Sequence, residues 1–287
     1  MTYRRRASPL HAARAAVASA WCVVLAGVAL TFEHPLVLAV LLLALLGAAA
    51  GARVAGPVLR ALAFAAPFAL VIALVNPLVV RDGLTVIARL GSVPVLGVVD
   101  VTAEATAYGG VLALRALVVI GCFALHSAAV DPDDLLRAFR RFSFRSALTA
   151  TLATRMVPVL ARDARRLHDA QRSLAGPPAP RRVVVRAVAS GALDRAVDVA
   201  ATLEVRGYGA ARHAPRLRRP WSRHDLAFAA GAAILALLGA GALAGNWEGF
   251  GAYPSFTAPL DGGVAALCAA LALAVLAPFA DRRGIAP

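Results

Sequence analysis

The sequence predicts an all-α polytopic membrane bundle of about six spans, with a folded cytoplasmic helical segment between the fourth and fifth. Three observations lead there. Of the 287 residues 60% are hydrophobic and mean hydropathy is +0.72, beyond the range of an ordinary soluble domain. Apolar stretches of about 20 residues recur, the length needed to cross a hydrocarbon core. The arginines gather in one insert, Asp131 to Arg223, which holds nineteen of the thirty basic residues against eight acids. That insert is too polar for lipid and too apolar for a tail. It reads as a platform at the membrane surface, dividing the chain into 1–130, 131–223 and 224–287.

Taken in order, Arg4-Arg5-Arg6 precedes an apolar run in the manner of a signal peptide. That run is long enough to cross and more spans follow, so it reads as a retained first span. Six stretches qualify, at about 15–32, 35–52, 60–80, 106–130, 226–245 and 263–280. Short connections at 32–35 and 53–58 make the first three antiparallel neighbours. Residues 81–105 read as a longer polar connection, with Asp82-Gly83 and Gly91-Ser92-Val93-Pro94. Arginine placement sets the orientation, because cytoplasmic loops hold an excess of it. With the N-terminus inside, one side receives Arg4, Arg5, Arg6, Arg14, Arg53, Arg60, the insert, Arg282 and Arg283; the other receives Arg81 and Arg89. Both termini and the insert are therefore expected on the cytoplasmic side of a cell membrane.

Within the insert, Asp131 is placed to cap a helix that starts at Pro132, with Asp133 and Asp134 at the positive end of its dipole. A second helix starts near Ser143 or Ser146 and carries Leu148, Leu152 and Met156 as an apolar stripe. Pro158 should kink it, and Gly176-Pro177-Pro178 should stop it after Arg162, Arg165, Arg166 and Arg172. A third helix is expected from Arg182 to Arg206, with Val185, Val188, Leu193, Val197, Ala200 and Leu203 along one side. Gly207 suits the left-handed residue after its end, with Tyr208 packing back on the last turn. Arg212, Arg216, Arg218, Arg219 and Arg223 then form a basic approach to the fifth span. Each is worth about 1 kcal/mol beside anionic headgroups.

Several stretches carry a family resemblance. They are Asn76-Pro77-Leu78 with Arg81-Asp82-Gly83, Ala113-Leu114-Arg115, and Asp131-Pro132-Asp133-Asp134-Leu135-Leu136-Arg137-Ala138. Arg155-Met156-Val157-Pro158, Asp169-Ala170-Gln171-Arg172 and Ala201-Thr202-Leu203-Glu204-Val205-Arg206-Gly207-Tyr208-Gly209 complete the set. Over about residues 60–210 this order resembles the transmembrane T component of energy-coupling factor transporters, a group that includes the cobalt-transport permease-like proteins. The resemblance implies two cytoplasmic coupling helices, each ending near an Ala-Arg-Gly-like triplet and fitting a groove on one of two ABC-type ATPase subunits. It also implies a small substrate-binding membrane subunit, the S component, that carries a vitamin or a transition-metal ion. ATP and magnesium would then sit in the ATPases, with no cofactor held by this chain and no catalysis of its own.

On that resemblance the ATPase-docking residues are Glu204, Arg206 and Gly207 at the second coupling helix, with Arg172 and Gly176 at the first. An arginine in a last turn is favoured by the dipole, and a following glycine turns the chain away without covering it. Its planar fork holds a carboxylate bidentately, which lysine cannot copy. Val205 stands where the family has Ala. At the first motif Ala175 precedes Gly176, and Arg172 lies one turn earlier, pointing about 60° away.

The remaining polar residues receive structural readings. Arg115 sits about 15 Å inside a span, where an unpartnered charge costs at least about 2.5 kcal/mol, so Glu104 or a neighbouring carbonyl is its expected partner. Asn76, Pro77 and Pro158 are assigned structural roles, and His126 reads as an interfacial or packed neutral imidazole. Cys22, Cys122 and Cys268 fall in apolar runs without ligand spacing, and His11, His34, His168, His213 and His224 form no spaced set, so no metal site is expected. Gly47 and Gly51 permit close helix packing.

Other function classes fit poorly. Net charge is +14 with no lysine, yet there is no soluble scaffold to display arginines to nucleic acid. Asp82-Gly83 and Ala88-Arg89 only loosely match a phosphatidyl-alcohol transferase core, because the spacer is wrong and no carboxylate pair follows for two metals. A phosphate-binding Gly-rich Lys-Ser/Thr loop is missing. The alternative transport reading is a self-sufficient permease binding its solute at mid-membrane, but internal repeats and polar chemistry at depth are lacking.

Overall fold

The computed structural model describes residues 3, 5–80, 84–93, 97–139, 144–173, 180–207, 220–245, 251, 257, 261–281 and 283. In chain order these form α1 (Pro9–Ala12), α2 (Ala15–Thr31), α3 (Pro35–Gly51), α4 (Ala55–Val79), β1 (Val86–Val93) and β2 (Gly97–Thr102). There follow α5 (Ala103–Ala129), α6 (Pro132–Phe139), α7 (Phe144–Ser173), α8 (Arg181–Val205), α9 (Arg223–Gly245), α10 (Gly262–Leu276) and a 3-10 turn at Ala277–Phe279. The chain divides into two compact units, one of Met1–Asp134 with Pro220–Pro287, the other Leu135–Arg219.

In the first unit, α4, α5, α9 and the segment Gly262–Phe279 are long and apolar enough to cross a membrane. Helices α2 and α3 are equally apolar but have 17 residues each. They rise about 25 Å against a hydrocarbon core of about 30 Å, the short end of what crosses. The fold is an all-α polytopic membrane bundle. Its centre is α5, packed on α2, α3 and α4, while α9 lies on α2 and α10 on α3 and α9. Trp21, Leu25, Leu41, Leu125, Leu235 and Leu271 are fully buried between them. Trp21, Phe228 and Phe279 meet edge-on with centroids 5.2–5.9 Å apart, joining α2, α9 and the final turn. Gly47 and Gly51 leave room for the side chains of Leu276 and Phe279.

The α4–α5 contact has a local cause. Pro77 lies inside α4 and lacks an N–H, so the Ala73 carbonyl one turn earlier loses its helical donor. That carbonyl faces Gly109 of α5 so closely that a Cβ there would sit 2.7 Å from it. Only a hydrogen fits. Asn76 Nδ2 donates to the Ala105 carbonyl at 2.8 Å, one turn along α5, and fastens the same pair of helices.

The region between α4 and α5 differs from the expected polar connection: it contains an antiparallel hairpin. β1 has two residues more than β2 and absorbs them at irregularities between Val86 and Ala88 and between Arg89 and Ser92. The β-branched content of both strands explains it, since six residues there are Val or Ile. Its base is tied to α5: Thr102 caps the helix through Ala105 N, and Ala103 N donates to Thr85 O at 2.9 Å. Asp82, Gly83 and Pro94 lie outside the described residues.

In the second unit, α7 and α8 run antiparallel. Asp163 pairs with Arg195 at 3.0 Å, while Leu167 meets Val188 and Gly191 around a groove of about 300 Å³. The face of α8 turned toward α7 differs from the expected stripe. Val184, Val188, Ala192, Arg195, Val199 and Leu203 are half-buried, whereas Val185, Leu193 and Val197 are 67–69% exposed. Its apolar residues fall on more than one side, with charges interspersed, so residue type alone could not choose its inner side. The Asp163–Arg195 pair and the α7 surface choose it.

A candidate functional site: the arginine-ended helix pair

The C-terminus of α8 forms as its residues dictate. Arg206 is the C-cap, its N–H donating to Thr202 O at 3.2 Å, and Gly207 follows with φ +70 and donates to Glu204 O at 2.8 Å. Only glycine takes that left-handed turn without strain. Glu204, Val205, Arg206 and Gly207 are all exposed, Val205 at 89%. The Arg206 guanidinium therefore stands clear at the negative end of a helix of 25 residues.

Arg172 occupies the last turn of α7 and is also exposed, while Ser173 Oγ donates back to Ala170 O at 2.8 Å. Gly176 and Tyr208 lie outside the described residues. Because the helices are antiparallel, Arg172 lies beside the start of α8 and Arg206 at its far end. About 20 residues of helical rise put roughly 30 Å between them. The structure does not bring the two arginines together; it sets one at each end of a single rod pair. Among the described residues neither has an ion-pair partner. Pro158 lies inside the continuous helix Phe144–Ser173, where the Arg162 Nε donates to its carbonyl at 3.3 Å. At the other end of the insert, Asp131 Oδ1 accepts from Asp133 N at 2.9 Å, with Pro132 in the first turn of α6.

What the residue pattern missed here is the outer face of α8. Val185, Leu193 and Val197 form an exposed apolar line at helical spacing, flanked by Arg186, Asp194 and Asp198. Its signal was present in the run Val183-Val184-Val185, but a helix apolar on several faces hides which one is free.

Within the first unit the intramembrane arginine finds a neighbouring carbonyl, as one of the two expectations had it, together with a carboxylate other than Glu104. Arg115 Nη2 donates to the Phe32 carbonyl at 2.9 Å and to Glu33 Oε1 at 3.3 Å. Glu104 instead accepts from Thr85 N at 3.2 Å and holds the hairpin base. The α2–α3 connection brings Glu33 to the depth that Arg115 reaches, while Glu104 lies three turns away along α5 itself. His126 Nε2 is 3.1 Å from Ser19 Oγ, which ties α5 to α2.

A second polar cluster, unforeseen in the sequence, centres on Asp225. Ser222 Oγ accepts from Asp225 N at 3.1 Å and Asp225 Oδ2 accepts from Ser222 N at 2.9 Å, a reciprocal cap on α9. The same carboxylate accepts from Arg14 N at 2.7 Å and pairs with Arg14 Nε at 3.2 Å, while Arg14 stacks 5.3 Å from the Trp221 ring. At the C-terminal side of the same unit, the backbone N–H of Arg283 and the Arg223 guanidinium hold Asp281 below the usual aspartate range. Among the described residues no group of three His, Cys, Asp or Glu is arranged to hold a metal ion.

The family model described as CbiQ, cobalt transport protein, matches residues 6–217. The matched range begins just before α1 and extends past the end of α8. No curated protein matches the chain.

Proposed function

The chain belongs to the CbiQ family of cobalt transport proteins, and we propose that it is the non-catalytic coupling subunit of an ATP-driven importer of the energy-coupling factor class. Its membrane bundle sits beside a small S component that binds the vitamin or transition-metal ion. Its α7–α8 pair docks on two ABC-type ATPase subunits, which hold the ATP and magnesium. Closure of the ATPases moves the helix pair, and the bundle passes that movement to the substrate-binding subunit. The pair and both termini face the cytoplasm in this reading, which the arginine distribution supports.

One observation carries the proposal: a single rod pair presents an exposed arginine at each end, roughly 30 Å apart. Two partners can be held at once without competing for the same surface. Arg206 has the stronger geometry, being released by Gly207 at the helix terminus, so it is assigned the larger share of docking. A carboxylate on the ATPase would be left buried and unpaired in Arg206→Ala, costing roughly 3–5 kcal/mol if fully desolvated. The experiment is purification of the tagged full-length chain from its own membranes, with metal uptake measured in the same cells. Wild type should bring down ATP-hydrolysing subunits at two per chain. Arg206→Ala should lose most of them and most uptake, and Arg172→Ala should lose less. Intact assembly and uptake in Arg206→Ala would remove the assignment.

A further inference from the structure

We propose that the β1–β2 hairpin is an interfacial membrane anchor, lying along the bilayer surface where α4 ends and α5 begins, with lipid headgroups and upper acyl chains as its ligand. The first support is its position. α4 is a membrane-crossing helix whose last residue is Val79, and β2 runs without a break into the membrane-crossing α5 at Ala103. Thr85 is bonded to α5 from both directions, its N–H to the Glu104 carboxylate and its carbonyl to Ala103 N. A hairpin held at that base cannot leave the bilayer boundary.

The second support is its chemistry. Arg89 and Asp100 are the only charged residues in the two strands, and the register sets them directly opposite each other. The hairpin is therefore neutral overall and otherwise made almost wholly of apolar residues and glycine. Large apolar side chains are exposed on both sides of the connection, at the end of α4 and at the start of the hairpin: Val75 46%, Val79 62%, Leu84 74% and Ile87 64%. Lipid already covers the α4 side, and the same solvent suits the other.

The third support is what each alternative environment would do. Two strands alone are marginal in water. Among the described residues the sheet has only these two, so both outer edges carry unpaired backbone groups, and full immersion in hydrocarbon would strand them. At the interface the edges meet water and headgroups while the exposed Leu84, Val86 and Ile87 enter the acyl layer. A strand of eight residues extends about 26 Å, enough to lie along the surface as a foot beside the bundle.

The test places a fluorophore on Ile87→Cys in the full chain. Ile87 is the extra residue between the Val86 and Ala88 pairings, so its replacement leaves the ladder in place. Leu84→Cys is a second site outside the strands, and Leu237→Cys, 72% exposed within α9, marks lipid depth. The wild-type chain, whose Cys22 and Cys122 are buried and whose Cys268 is half-buried, is labelled as the blank, and its signal is subtracted. Each is reconstituted in phosphatidylcholine vesicles carrying nitroxides either near the headgroup or deep in the chain. At residues 87 and 84 we expect blue-shifted emission and roughly two-fold stronger quenching by the shallow nitroxide than by the deep one, the reverse of 237. Water-like emission quenched by aqueous iodide at both positions overturns the proposal. So does lipid quenching that vanishes in complexes purified with their partner subunits, which would make a protein the true occupant. Neither outcome bears on ATPase docking, which rests on the other unit.

Discussion

Asp225→Ala should destabilise the membrane unit by about 3–5 kcal/mol. The carboxylate is 1% exposed and accepts two backbone N–H groups, from Arg14 and Ser222. Leaving a buried donor unpaired costs about 1–3 kcal/mol each, while the Ser222 half of the reciprocal cap survives, because it accepts from the backbone N–H of residue 225. The ion pair adds less, because the Arg14 side chain is 26% exposed and can still be hydrated over Trp221. Asp225→Asn keeps an acceptor oxygen and should lose only about 1–2 kcal/mol. Arg14→Ala should lose about 1, since its backbone N–H continues to donate. The assay is thermal unfolding of the purified chain in detergent. At 2–4 °C per kcal/mol for a unit of this size, Asp225→Ala should lower Tm by about 10 °C. A double-mutant cycle with Arg14→Ala isolates the ion pair, with an expected coupling of about 1 kcal/mol. A Tm loss below about 2 °C would refute the reasoning. Equal damage from Asn and Ala would show that charge, rather than the two accepted N–H groups, holds the site.

Two further substitutions test the membrane bundle, again by unfolding in detergent. Gly109→Ala forces its Cβ against the Ala73 carbonyl and should cost about 1–3 kcal/mol, whereas Gly110→Ala, with open space at the same level, should be neutral or gain up to about 1. Arg115→Ala should cost about 1–3 kcal/mol through the orphaned Phe32 carbonyl, and Glu33→Ala less than about 1, because Glu33 is 47% exposed. The reverse order would mean that the charge pair dominates.

Much of the fold was legible because its signals are local. The apolar runs foretold the spans, and Asp131-Pro132 and Gly207 foretold one helix start and one helix stop, since caps depend on residues within one turn. The exposed arginines at the two helix ends were legible for the same reason. The hairpin was not. Residues 81–105 read as a polar connection from their glycines and Asp82, although the Val and Ile content carried a strand signal that turn residues outweighed. The inner face of α8 was not legible either, because Val184 and Val185 are alike until a neighbour covers one of them.

The amino-acid order by itself determined that this chain lives in a membrane, that an arginine-rich helical segment interrupts its spans, and where that segment's last helix must end. Those are matters of composition, period and backbone conformation, settled within a few residues. Tertiary structure alone decided that Arg115 meets Glu33, that Arg14 meets Asp225 across 211 positions, and that a carbonyl released by Pro77 requires glycine at 109. Each of those depends on which surfaces approach, and close packing lets only one of many compatible side chains be the neighbour.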